Sequence, residues 1–179
     1  MRIDLNTIKS NGYYGVGVVI ALVVACFVLA YVLMHDPYKD LHERIFTIAG
    51  KVNTYYREKP NYWKLSTQTA EEDNLIGDIM EEYKNYDFAI GQGADGQVSM
   101  PSDTSFDIAL KHLSKSACIA LSEYSIPEEK RLSLLKITID ANGKITEFSW
   151  GTEPKLPVKK YATRNVCSSK ENTLIWTFQ

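Results

Sequence analysis

Surplus charge is what this sequence most plainly lacks. Lys and Arg number 20 against 22 Asp and Glu, for a formal net charge of −2, and in the later part of the chain the signs are interspersed. A nucleic-acid surface needs a basic excess or stripe, and neither is present. The locally basic stretch EPKLPVKKYATR (153–164) reads as a solvated loop. Cysteine is scarce as well: Cys26, Cys118 and Cys167 are the whole supply. With no C-x-x-C spacing and no supporting histidine cluster, a structural zinc site has no ligands to draw on. Internal repeats and low-complexity tracts are absent too, which argues against a solenoid or a disordered linker.

Catalytic patterns are equally thin. No serine or cysteine nucleophile pattern, paired-carboxylate site or metal spacing gathers around His35, His42 or His112, so no enzyme, cofactor or metal is expected. Gly91, Gly93 and Gly96 match G-x-G-x-x-G. The dinucleotide site, however, needs a helix directly after the glycines, and Val98, Ser99, Met100 and Pro101 do not start one. Asp95 and Gly96 suit a turn instead. Asp140, Asn142, Gly143 and Glu147 are similar to a fragment of a calcium loop but lack the remaining oxygen ligands. A hairpin turn is the expectation there.

What the chain does have is one long apolar run. From Tyr13 to Met34 there is no charged residue, a stretch of about 33 Å as a helix and enough to cross a bilayer. A cleavable secretory signal is shorter and ends in small residues; this run ends in Leu33, Met34, His35 and Asp36. Val23, Val24, Ala25 and Cys26 loosely resemble a lipobox, yet the residues that follow (FVLAYVLM) stay apolar, where a lipidated chain leaves the membrane at once. Arg2 and Lys9 precede the run, and the positive-inside tendency keeps that end cytoplasmic and exports everything after His35. Lys39 and Arg44 on the far side make the bias modest. If the domain is exported, Cys118 and Cys167 read as one disulfide, and closing that loop of roughly 50 residues stabilises the fold by about 4 kcal/mol.

Roughly 145 residues remain after His35, enough to bury a core without a partner. Past Pro37, which can kink or restart a helix, Leu41, Ile45, Ile48, Val52 and Tyr55 recur at helical period with charges on the other face. The expectation is one rod, the run 13–34 continuing as an amphipathic helix over 35–58, its outer part packed on the domain 59–179. Within that domain, Thr69 with Glu72 forms a capping box ahead of a short helix carrying Leu75, Ile76, Ile79 and Met80. Phe106, Ile108 and Leu110 alternate as a strand does, and 114–123 reads as a short helix with Cys118 on its inner face. Leu135, Ile137 and Ile139, then Ile145, Phe148 and Trp150, flank a hairpin turn. Thr173 to Phe178 closes the chain as a strand.

A short positive leader ending in Gly12, a membrane-length helix running into an amphipathic one, and a small domain with two late cysteines resemble the type IV pilins, and the type IVb kind of thin conjugative and toxin-coregulated pili in particular. The likeness covers nearly the whole chain. NTYYREKPNYWKLS resembles the passage from long helix to loop, LSKSACIALS the short helix holding the first cysteine, and VCSSKENTLIWTF the second cysteine and final strand. The resemblance implies an α+β fold, a long N-terminal helix packed on a small antiparallel sheet with a Cys118–Cys167 disulfide. It implies a prepilin peptidase that cuts after Gly12 and leaves Tyr13 as a methylated N-terminus. It also implies residence in the inner membrane, transfer by an assembly platform into an extracellular pilus, and other pilin subunits as partners. One position departs from the family. Pilins carry Glu at the fifth mature position, where it meets a neighbour's N-terminal amine; counting from Tyr13, that position is Gly17. A subunit at a filament tip has no neighbour above it, so a minor or tip pilin fits this glycine. The competing expectations are a type II secretion pseudopilin and a singly anchored periplasmic binding domain that never polymerises.

Overall fold

A computed structural model describes residues 18–30, 36–59, 61–62, 64–77, 87–91, 104–123, 133–168 and 171–179. The chain divides into two compact units, Met1–Pro37 and Tyr38–Gln179. In the first, residues 18–30 are helical. The second is an α+β domain built on a five-stranded, wholly antiparallel sheet in the order β1-β2-β5-β3-β4. Its strands are β1 (Asp87–Gly91), β2 (Phe106–Leu113), β3 (Leu134–Ala141), β4 (Lys144–Ser149) and β5 (Asn172–Phe178).

Helix α1 (Pro37–Tyr56) begins at the proline, with Asp36 non-helical before it. A proline at the first helical position loses no hydrogen bond, because that N–H has no partner within the helix anyway. The continuity of the expected rod falls on residues 31–35, outside the described residues. Leu41, Ile45, Ile48 and Val52 are buried as their spacing requires, joined by Phe46, Ala49 and His42. Tyr55 is the exception: it is 39% exposed, and Tyr56 turns inward at 6%. One residue's step places Tyr56 four positions after Val52, on the same stripe, with its ring 5.2 Å from Tyr62. Phe46 meets the sheet edge-on, 5.5 Å from the ring of Phe178.

The inner face of the sheet follows from its register. Phe106, Ile108 and Leu110 on β2 lie opposite Phe178, Trp176 and Leu174 on β5, and those lie opposite Leu134, Ile137 and Ile139 on β3. All nine are buried. Two irregularities move the inward phase. Between Leu110 and Leu113 the register slips, with His112 at φ 57°, so that Leu113 returns to the core. A second slip between Leu134 and Lys136 makes Leu134 the inward residue and leaves Leu135 half-buried, against the alternation expected from Leu135. Ile145 and Trp150 also differ from expectation, at 50% and 38% exposed; only Phe148 of that trio is in the core.

Turns and caps confirm some local readings and shift others. Ala141 faces Lys144 across a two-residue turn in which Asn142 and Gly143 both have positive φ, 60° and 84°, the tight hairpin that Asn-Gly favours. Asp140 Oδ1 accepts from the Gly143 N–H at 2.8 Å. The short helix α2 (Thr67–Glu72) starts earlier than expected. Its cap is Ser66, whose Oγ accepts from Thr69 N–H at 3.2 Å while Thr69 Oγ1 accepts from Ser66 N–H at 2.8 Å. Thr69 is therefore the third helical residue and not the cap, and Leu75 and Ile76 are buried in the turn that follows. Ile79 and Met80 lie outside the described residues. Helix α3 (Lys115–Ser122) is capped by Ser114 and buries Cys118, as its sequence predicts.

Candidate functional site

The expected processing and contact positions Gly12, Tyr13 and Gly17 lie outside the described residues. The described part of the apolar run, 18–30, presents its large side chains to solvent. Val18, Val19, Ile20, Leu22, Val24, Val28 and Leu29 are each more than half exposed, and Phe27 reaches 72%. Leu22, Cys26 and Ala30, four residues apart, share a side with Val23 and Phe27 and line one apolar hollow. Cys26 is a free, exposed thiol on that side. Among the described residues no helix is both long and apolar enough to cross a membrane; residues 18–30 cover only part of the run 13–34. Exposed contiguous apolar surface is costly in water and marks a face that meets lipid or protein.

In the second unit the two late cysteines are joined. Cys118 on α3 bonds Cys167, 49 positions later in the sequence, with Cα atoms 6.1 Å apart. Both are buried. Cys167 follows a 3-10 helix, Ala162–Asn165, and its N–H donates to the Thr163 carbonyl at 2.8 Å. A second tie runs beside the disulfide. Glu123, at the C-terminal end of α3, accepts from Thr163 Oγ1 at 2.6 Å and from Thr163 N–H at 3.2 Å. Burial alone raises the Glu123 carboxyl, but these bonds, one from the Tyr161 backbone and the nearby Arg164 outweigh it and lower its pKa below the usual glutamate value. Tyr161 stands out from the same segment at φ 72°, 52% exposed, with the Arg164 guanidinium 4.0 Å from its ring centre.

The residues weighed for catalysis do not converge. His42 is buried against Phe46, with ring centres 4.8 Å apart. His112 sits at the β2 irregularity between Asp87 and Glu171, at 3.7 and 3.5 Å, in the open. His35 lies outside the described residues. No group of three metal-ligating side chains occurs among the described residues. Of the three glycines, only Gly91 is described. It ends β1 at φ 141° and abuts Leu65 and Ser66, where an added Cβ would meet the Leu65 carbonyl at 2.6 Å. Its role is close backbone approach. Glu147 turns to Lys136 at 2.6 Å, away from the 140–143 turn.

The Glu123–Thr163 tie was missed from sequence. A glutamate directly after a short helix has no distinctive pattern, and its partner is 40 residues away. No protein-family model, curated protein or solved structure matches this chain. Function is therefore read from the residues themselves.

Proposed function

We propose that this chain is a structural subunit of a type IV pilus-like filament, most simply a minor or tip pilin. The supporting observation is the pairing of an exposed, uncharged apolar helix at 18–30 with a separately cored α+β head held by one late disulfide. A helix of this kind is soluble in hydrocarbon and packs equally well among helices like itself. It serves first as an inner-membrane anchor and then, after an assembly platform lifts it out, as the centre of an extracellular fibre. Glycine at position 17 removes a buried carboxylate that would be costly without a partner, which suits a subunit with no neighbour above it.

Coexpression with a prepilin peptidase tests the reading. Intact mass is expected to fall by the residues 1–12 and to gain one methyl group on Tyr13. A chain that stays full length under conditions that process a known prepilin would favour the anchored, non-polymerising domain.

A further inference from the structure

Tyr161 combines backbone strain with exposure. Its φ of 72° and ψ of 0° fall in the left-handed range, which glycine enters freely and a bulky side chain enters only under constraint. Burial does not compensate, since the ring is 52% exposed, and the side chain makes no capping bond to the 3-10 helix that follows it. The backbone on both sides is fixed. Leu156 and Val158 are buried before it, and the Lys159 carbonyl accepts from Ala162 N–H at 2.9 Å. After it, Thr163 is buried and bonded to Glu123. A strained residue that adds nothing to the core points to a use at the surface. Its surroundings are cationic. The Arg164 guanidinium lies 4.0 Å from the ring centre and Lys160 Nζ 5.3 Å from it, with Lys159 exposed alongside in the sequence. Among the described residues none of these three cations forms an ion pair. Glu123 is near Arg164, but its carboxylate is engaged by Thr163. Like charges gathered without a counter-ion attract an anion.

We infer that this patch binds an acidic polysaccharide through a uronic acid residue, its pyranose ring against Tyr161 and its carboxylate on Arg164 and Lys160. The C–H face of a pyranose is weakly positive and suits the negative face of an aromatic ring. A guanidinium takes a carboxylate through two parallel hydrogen bonds. Other anions fit this surface less well. Nucleic acid follows a track of cations, each neutralising a phosphate, and a single ring with Lys159, Lys160 and Arg164 is no track. An anionic bilayer surface is held by clusters of about four to eight Lys or Arg. A protein partner needs roughly 800 Å² on each side around a desolvated centre. Around Tyr161 the exposed neighbours Lys159, Lys160, Arg164 and Asn165 are polar, and Ala162 is small. One ring and a few cations match one charged sugar. The inference goes beyond the filament reading, because the patch lies wholly in the head and does not depend on whether the chain polymerises.

The test titrates tetragalacturonate into the full chain in detergent micelles, read by isothermal titration calorimetry. Maltotetraose supplies the sugar without charge, and tetraglutamate and an oligothymidylate supply charge without the sugar. Tetragalacturonate is expected to bind saturably and more weakly as salt rises, maltotetraose not to bind, and the two other anions to bind about tenfold more weakly. Tyr161→Asn removes the ring, and asparagine accepts the left-handed φ more readily than tyrosine. That variant should be as stable as wild type in thermal melts yet bind tetragalacturonate about tenfold more weakly. Tyr161→Phe keeps the ring and should keep the affinity. Lys160→Gln together with Arg164→Gln should remove both the binding and its salt dependence. A wild-type chain that does not bind tetragalacturonate overturns the proposal. So does a tetraglutamate or oligothymidylate affinity equal to that for tetragalacturonate, which would make the patch a surface for charge alone. Unchanged binding in Tyr161→Asn, or equal losses in Tyr161→Asn and Tyr161→Phe, would remove the aromatic ring from the site.

Discussion

Gly91 carries a double requirement. Its φ of 141° is closed to side-chain-bearing residues, and the Leu65 carbonyl would stand 2.6 Å from a new Cβ. Gly91→Ala should therefore cost on the order of 1–3 kcal/mol, read as a lower denaturation midpoint with an unchanged slope. Gly143 has open space around it, so Gly143→Ala carries only the strain of positive φ. Glu123 acts through charge. Its folded pKa is below the ordinary value, so its contribution is complete above the unfolded-state pKa and is lost as pH falls through the folded one. Glu123→Gln keeps an acceptor for Thr163 but has no proton to take up. Stability of the variant is expected to fall less steeply than wild type between neutrality and the acid range, in denaturant melts at stepped pH. Parallel pH profiles would remove Glu123 from the account.

At the scale of elements, the sequence was legible where a local rule decides the outcome. The helical stripe of Leu41, Ile45, Ile48 and Val52, the strand 106–110, the Asn-Gly hairpin and the Cys118 helix all follow from short-range periodicity or turn chemistry. One error came where an insertion shifts the phase. The slip at Leu135 changes which residues of β3 face inward, and the alternating count carries no mark of it. At α2 two candidate caps compete, and Ser66 prevails over Thr69 because Thr69 Oγ1 also reaches back to the Ser66 N–H and the Lys64 carbonyl. Ser66→Ala should consequently cost about 1 kcal/mol, measurable by thermal or chemical melting. Loss of the cap should also loosen the Ile90–Gly91 end of β1, which rests on Ser66 and Thr67. Hydrogen exchange at Ile90 should quicken. The candidate site was less legible than the fold, because the Glu123–Thr163 tie depends on how segments 40 positions apart meet.

Across the whole molecule, the disulfide is placed where the fold has fewest alternatives. The segment between Cys118 and Cys167 includes β3, β4 and the exposed stretch 150–155. Its return to the core is fixed by Thr163, Cys167 and Asn172, whose Nδ2 donates to the Leu113 carbonyl at 3.0 Å. Without the crosslink, the Glu123–Thr163 bonds remain to hold the 3-10 helix against α3, and these are solvent-accessible at one end. Cys118→Ser should cost about 4 kcal/mol by the loop-closure estimate, a large share of a domain's stability. The loss should be local first, since β5 stays paired on both sides with β2 and β3. Limited trypsin digestion followed by mass spectrometry is expected to cut the variant fastest after Lys155, Lys159 and Lys160, with the sheet residues surviving longest. On the proposed filament reading a subunit under tension needs that segment closed, and the oxidised pair closes it in a way that hydrogen bonds to Glu123 alone do not. Digestion at the same rate with and without the disulfide would show that the Glu123 tie suffices, and the cysteine pair would then have no mechanical role.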